Sequence, residues 1–203
     1  LHKVGKVAKA RTGTRVRYWA DTSIFLKSAQ FDYEQLIGRA RQTSFLVPGL
    51  TLVIRDERGL PETPGADGPH EEVFFHDGGI SEFTDYLAAD AAVTDVWRLQ
   101  GSGHFTETVP VLDEKSGHMT SQDVERECGV DIALRWGTGY ETKVRSFVNI
   151  IATPKGGTHN TGFEQALMKV FKKQLEVNAR KLKVGNDKVE KDDVLAGLTA
   201  VVT

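Results

Sequence analysis

The sequence predicts an α+β fold in which helices pack on a β-sheet. Three observations support this class. The chain has 203 residues, of which 39% are hydrophobic and 27% charged, which is enough to bury a core and stay soluble. Helical patterns recur between β-prone runs along its whole length. Several of those runs lie close together as apparent hairpins, an order typical of α+β layers.

The first elements are a strand and a helix. Alternation in "TRVRYWA" predicts a strand over residues 14–20 with one basic face. Asp32, followed by Gln35, is typical of a capping box and predicts the start of a helix. Pro48 and Gly49 are expected to end that helix.

A hairpin and a short helix follow. The runs "LTLVIRDE" and "EVFFH" predict two paired strands. Between them, residues 58–70 are rich in glycine, proline and acidic residues and are expected to form an exposed loop. The stretch "GGISEFTDYLAA" places Ile80, Phe83 and Leu87 on one face of a short helix.

The middle of the chain is harder to interpret. "VWRLQ" and "FTETVPVL" indicate strand pieces, and "TSQDVEREC" is expected to form a helical turn capped by Thr120. "GVDIALRW" and "YETKVRSFVNIIA" predict a second hairpin with "GTG", residues 137–139, as its turn.

The last part predicts helices and a final strand. A long helix is expected, which carries Phe163, Leu167, Phe171, Leu175 and Leu182 at helical spacing. A short helix from "DDVLAGL" and a strand from "TAVVT" complete the chain.

Composition excludes several classes of protein. The net charge of −2 gives no overall attraction to DNA or acidic lipid. A single cysteine, Cys128, cannot form an internal disulfide and favours a reducing, cytoplasmic setting; we expect it to be a buried small hydrophobe. No apolar run reaches the ~20 residues of a membrane helix, so no membrane partner is expected. Residues 1–10 are basic and are expected to be a disordered N-terminal segment.

The stretch "NIIATPKGGTHNTGF" has the strand–glycine–helix order of a phosphate-binding loop. Lys155, however, precedes Gly156 and Gly157, whereas a phosphate loop places the lysine after its glycines. We therefore interpret the glycines as a turn, with Thr158 capping the following helix and His159 in its first turn. An anion at this helix start is the alternative.

No catalytic, cofactor-binding or metal-binding residues emerge from the remaining pattern. The histidines lack metal-ligand spacing, and Asp192 and Asp193 are typical of a helix start. The long helix carries basic residues, of which Lys169, Lys172 and Lys173 share one side. They form either a solvated helix face or a non-specific DNA-facing surface.

Six blocks together resemble one family: "TGTRVRYWADTSIF", "YEQLIGRARQTSFLVPGLTLVIRDER", "HDGGISEFTDYL", "VDIALRWGTGY", "SFVNIIATPKGGTHNTGF" and "DDVLAGLTAVV". They are similar to the transducer domain in the B subunits of bacterial type IIA topoisomerases, DNA gyrase and topoisomerase IV. The resemblance runs from Arg11 to Thr203, and the tract over 99–128 is longer than in short family members. Residues 1–203 are thus expected to form a single transducer domain.

The resemblance implies a fold like domain 2 of ribosomal protein S5. That fold is a two-layer arrangement with helices on one face of the sheet and a left-handed crossover. It also implies a neighbouring ATPase domain before this segment and a DNA-gate domain after it. The implied role is to relay ATP binding and hydrolysis to DNA strand passage, and to contribute to a cavity that holds DNA.

The resemblance further implies ATP and magnesium in the complete subunit, with neither held by this segment. The implied partners are DNA, the A subunit and a second B subunit. Some relatives carry an arginine after "GF", where this chain has Glu164, which weakens a DNA-facing role for the helix start. Two other interpretations remain: a stand-alone nucleic-acid-binding module, and an anion-binding enzyme built on the glycine loop.

Overall fold

In a computed structural model of the chain, the described residues are 5–6, 8, 10, 12–26, 28–58, 70–112, 117–183 and 188–203. The chain divides into two compact units, residues 1–33 and 34–203. The loop predicted over 58–70 falls almost wholly outside the described residues, as does much of the segment 1–10. None of the helices in the described ranges combines the length and apolar character that a membrane crossing requires.

The first unit contains a turn rather than a strand. Residues 12–20 have no regular structure, so the predicted strand over 14–20 is wrong. Alternating side chains are not sufficient to form a strand here, because a strand also needs a neighbouring strand to pair with its backbone groups. The turn forms at Asp21, whose carboxylate accepts hydrogen bonds from the backbone and side chain of Ser23 at 2.8 and 2.7 Å.

The second unit contains a hairpin, a five-stranded sheet and four helices in its described part. The helices are α1 (Tyr33–Leu46), α2 (Gly79–Leu87), α3 (Thr158–Leu182) and α4 (Lys191–Leu195), although α1 begins one residue before the unit boundary. The strands are β1 (Leu52–Asp56), β2 (His70–Phe74), β3 (Trp97–Leu112), β4 (Met119–Trp136), β5 (Lys143–Val148), β6 (Ile151–Ala152) and β7 (Leu198–Val202). Strands β1 and β2 form the predicted antiparallel hairpin.

The sheet has the order β3-β4-β7-β5-β6. Strand β7 pairs antiparallel with β4 and parallel with β5, so it lies at the centre although it comes last in the chain. The hairpin predicted between β4 and β5 is therefore wrong. Its glycine turn is instead bonded elsewhere: the Gly137 amide donates to the Gly197 carbonyl at 2.9 Å, and the Gly139 amide donates to the Asp90 carboxylate at 2.6 Å.

Helices cover both faces of this sheet. Phe45 of α1 and Phe83 of α2 pack with Ala133, Phe147 and Val201 of the strands. Adjacent strand residues point to opposite faces. Accordingly, the other face packs against α3 and α4, through contacts of Phe163 and Leu195 with Leu134, Leu198, Ala200 and Val202.

The α+β class with a helix-packed sheet is thus confirmed, while the expected two-layer arrangement with helices on one face is corrected. The left-handed crossover stays a prediction for the parallel connection from β5 through α3 to β7. Every residue of β7 is buried, as expected for a strand covered on both faces.

The tract over 99–128 forms a two-stranded ribbon. Strands β3 and β4 pair without interruption from Trp97–Leu134 to Leu112–Met119. The helical turn predicted for "TSQDVEREC" is therefore wrong, and Cys128 is exposed rather than buried. Because β7 pairs only with Ile132–Trp136, the outer part of the ribbon extends beyond the sheet.

Candidate functional site

The glycine turn that leads into α3 is held by hydrogen bonds within the chain. The Thr153 hydroxyl lies 2.7 Å from the Ser146 hydroxyl and 3.1 Å from Nε2 of His159. The Gly156 amide donates to the Thr153 carbonyl at 2.9 Å. Gly156 has a φ of 71°, in the region that favours glycine. These bonds give the turn a structural role that fixes the start of α3 against β5.

The cap of α3 differs from the expectation. Gly157 occupies the cap position, and Thr158 is the first helical residue, so the prediction that Thr158 caps the helix is wrong. The Gly157 carbonyl instead accepts from the amides of Asn160 and Thr161, both at 3.1 Å. A side chain at position 157 would also crowd His159, because an added Cβ would lie 2.9 Å from its Cε1 atom.

The structure brings the predicted lysines together in a shallow groove along α3. Lys169, Lys172 and Lys173 line this groove, and Lys191 joins them from α4. All four are exposed. Within the described residues, the first three form no ion pair. Sequence analysis missed Lys191, since nothing in the local pattern shows that α4 lies beside α3. We call these four residues the lysine groove.

Two carboxylates also line the lysine groove. Glu164 accepts a hydrogen bond from Nζ of Lys191 at 2.6 Å, so their charges offset each other. Glu176 lies towards the other end. The balance of the groove remains positive. Glu164 therefore does not abolish the basic character of the helix, since a lysine of α4 neutralises it.

The described residues form no cluster suited to a metal ion. No three histidine, cysteine, aspartate or glutamate side chains among them converge as metal ligands would. His76 stacks on Phe45 with ring centroids 3.6 Å apart, and its Nδ1 lies 2.8 Å from the Glu82 carboxylate. This histidine is committed to packing and to its contact with Glu82. The described part of the chain thus offers a structural turn and a basic surface.

A strong ion pair lies where the ribbon joins the sheet. Arg98 donates to both carboxylate oxygens of Asp131, at 3.0 and 2.7 Å, and Gln100 donates to the same group at 3.0 Å. The hydrogen bonds from Arg98 lower the pKa of Asp131, which keeps the carboxylate ionised in the folded chain.

Comparison with known proteins decides the family. The family model for DNA gyrase B matches residues 79–203, which include the turn, the lysine groove and the whole five-stranded sheet. The chain belongs to the DNA gyrase B family. The resemblance seen in the sequence is thereby confirmed.

Curated relatives extend this similarity over the rest of the chain. The DNA gyrase B protein of Campylobacter jejuni is 33% identical over 204 residues, covering 100% of this chain and 22% of the relative. The novobiocin-sensitive DNA gyrase B protein of Streptomyces niveus is 30% identical over 97% of this chain and 28% of its own length. This gyrase B family member thus spans about a quarter of the length of these relatives.

A solved structure gives the same assignment. The crystal structure of the 43K ATPase domain of Thermus thermophilus gyrase B, in complex with an aminocoumarin, matches with a TM-score of 0.59 and 26% identity. The match covers 90% of this chain and 41% of that one. The helix-packed mixed sheet is therefore shared with gyrase B.

Proposed function

We propose that this segment is the coupling module of a type II DNA topoisomerase B subunit. In this role it relays ATP binding and hydrolysis from a neighbouring ATPase domain to DNA strand passage. The observation that carries the proposal is the gyrase B family match over residues 79–203. The similarity to a structure described as a gyrase B ATPase domain supports placing this segment next to the part of the subunit that binds and hydrolyses ATP.

The packing suits a rigid relay. Strand β7 contacts β4 and β5 along its edges, and its faces contribute to both hydrophobic clusters. Movement imposed on one helical layer is therefore transmitted through a close-packed strand to the other layer. A hinge has two positions, and nucleotide binding shifts the balance between them. Such a hinge needs a stiff element between its two ends.

In this proposal, the binding and hydrolysis of ATP take place in other parts of the protein. The glycine turn is bonded within its own chain, because the Gly156 amide donates to the Thr153 carbonyl. We propose that ATP and magnesium bind elsewhere in the complete subunit and that this segment alone does not hydrolyse ATP. DNA, the A subunit and a second B subunit are the proposed partners.

The lysine groove is the proposed DNA-facing surface. Clustered ammonium groups attract phosphates without reading sequence, and each phosphate contact adds about 0.9 to the salt slope of binding. In the complete protein, K169Q/K172Q/K173Q is expected to reduce the slope of log K against log salt by about 2–3. ATP-dependent strand passage should fall, whereas ATP hydrolysis without DNA should remain.

A matched control lies at the C-terminal end of the same helix, where Lys183 is the cap residue that follows α3. R180Q/K181Q/K183Q removes the same charge beyond the lysine groove. Binding titrations at several salt concentrations, with strand-passage assays on the same preparations, compare the two triples. Equal effects of the two triples would contradict a groove-specific DNA contact while leaving the family assignment intact.

A further inference from the structure

A cavity of about 400 Å³ lies between α1, α2, β5 and the glycine turn. Its volume falls in the range of small-molecule sites, roughly 300–1,000 Å³. It is separate from the lysine groove, with which it shares no lining residue. The DNA contacts proposed above do not use it.

The cavity is positively charged. Arg41 of α1 and Arg145 of β5 both line it, and none of its described lining residues is acidic. The side chain of Arg145 has no hydrogen bond or ion pair with the described residues, while its backbone belongs to the β5–β7 pairing. Arg41 donates from Nη1 to the Tyr86 hydroxyl at 3.1 Å, while its Nη2 lies 3.8 Å from the Glu72 carboxylate, beyond hydrogen-bond distance. Both guanidinium groups therefore retain free donors.

The rest of the wall combines apolar side chains with the polar side chains of Gln42, Ser146 and Thr153. Leu87 and the exposed ring of Tyr86 supply its apolar surface, whereas Phe83 and Phe147 behind them are almost fully buried. Asn160 also lines the cavity, and its side-chain Oδ1 is buried with no hydrogen-bond partner among the described residues. This oxygen has almost no accessible surface, so a ligand in the cavity does not contact it.

We propose that this cavity binds a small organic anion with an aromatic or apolar body. Its anionic group, a carboxylate or phosphate, is held by Arg41 and Arg145, because a guanidinium matches both groups in a bidentate manner. Its body packs on Tyr86 and Leu87. A bound ligand would bridge α1 and β5 and so link two elements of the proposed relay. The inference does not depend on the proposed function.

Four probes test the site on the 203-residue chain by ¹H–¹⁵N NMR titration. 4-Hydroxybenzoate and benzoate both supply the anion and the ring. Inorganic phosphate lacks the body, and benzyl alcohol lacks the charge. We expect saturable shifts of the backbone amides at Arg145, Ser146 and Thr153 with the two aromatic carboxylates, and weaker shifts with phosphate and benzyl alcohol. Absence of saturation, or equal binding of benzyl alcohol, would overturn the proposal.

Two substitutions separate charge recognition from folding. R145Q removes an exposed arginine and is expected to weaken 4-hydroxybenzoate binding at least about fivefold, since a charge-assisted hydrogen bond is lost. R126Q, on the distant ribbon, is the matched control and should leave binding unchanged. An R145Q chain with a wild-type amide spectrum and wild-type affinity would also overturn the assignment.

Discussion

Gly197 lies where the turn after α4 meets the turn after β4. Its φ is 72°, and an added Cβ would lie 2.5 Å from the Gly139 carbonyl oxygen and 2.7 Å from that of Gly137. Both atoms belong to backbone, which cannot move aside as a flexible side chain can. Gly197 therefore allows β7 to enter the sheet between β4 and β5.

Replacement of Gly197 tests that close approach. G197A is expected to lower the free energy of unfolding by at least about 2 kcal/mol, because positive φ and a steric clash both oppose alanine. G162A is the matched control. Gly162 lies within α3 with open space around it, so alanine should stabilise the chain by about 1 kcal/mol. Urea unfolding measures the free energy of unfolding of both variants. Equal changes in G197A and G162A would contradict this explanation of Gly197.

Asp131 gives a prediction about pH. Its pKa is lowered in the folded chain by Arg98 and Gln100, so its ionised form stabilises the fold at pH values above its unfolded pKa of about 3.9. That contribution should be lost as the pH falls through 4 and below. Unfolding of the wild-type chain and D131N, measured from pH 7 to pH 3, should show a stability gap that closes at low pH. A stability difference between the wild-type chain and D131N that does not change with pH would contradict this prediction.

At the scale of single residues, the sequence predicts a local role, such as an acidic residue at a helix start, better than it predicts which distant residues meet. The local capping pattern places Asp192 and Asp193 in the first turn of α4, as the structure shows. Arg41 and Arg145, by contrast, meet across one cavity only because α1 and β5 pack together. No spacing along the chain carries that information, so sequence reasoning missed the pair.

The β3–β4 ribbon shows where prediction failed for a whole element. Alternate residues of "TSQDVEREC" point to opposite faces, with Asp123, Glu125 and Glu127 on one side and Val124 on the other. Charged residues on one face suit a solvated strand as well as a helical turn. The long-range pairing with β3 decides between them, and a local pattern does not contain it.

Truncation of the ribbon tests whether it contributes to the core. Deleting residues 104–127 and joining Gly103 to Cys128 through Asn-Gly, a preferred two-residue hairpin turn, retains the pairs next to the sheet. We expect the free energy of unfolding to change by less than about 1 kcal/mol, because both hydrophobic clusters remain complete. Urea unfolding measures the change, and collapse of the fold would show that the ribbon is integral.

Over the whole molecule, the elements were more predictable than their arrangement. Helical periodicity locates α1, α2 and α3, and the β-prone end of the chain locates β7. That β7 lies between β4 and β5, with helices on both faces, follows from tertiary packing. The order of helical and β-prone runs predicted the α+β class, and the single helical face that the family resemblance implied had to be corrected.

The central claim is that residues 34–203 move as a rigid body when nucleotide binds elsewhere in the complete protein. Spin labels test it most directly, with C128S removing the exposed thiol. Labels at R39C and Q174C report the distance across the sheet from α1 to α3, and Q174C alone reports the distance between the two copies in a dimer. An ATP analogue should shift the distance between copies and leave the distance across the sheet unchanged. A changed distance across the sheet, or no change in either distance, would contradict the account.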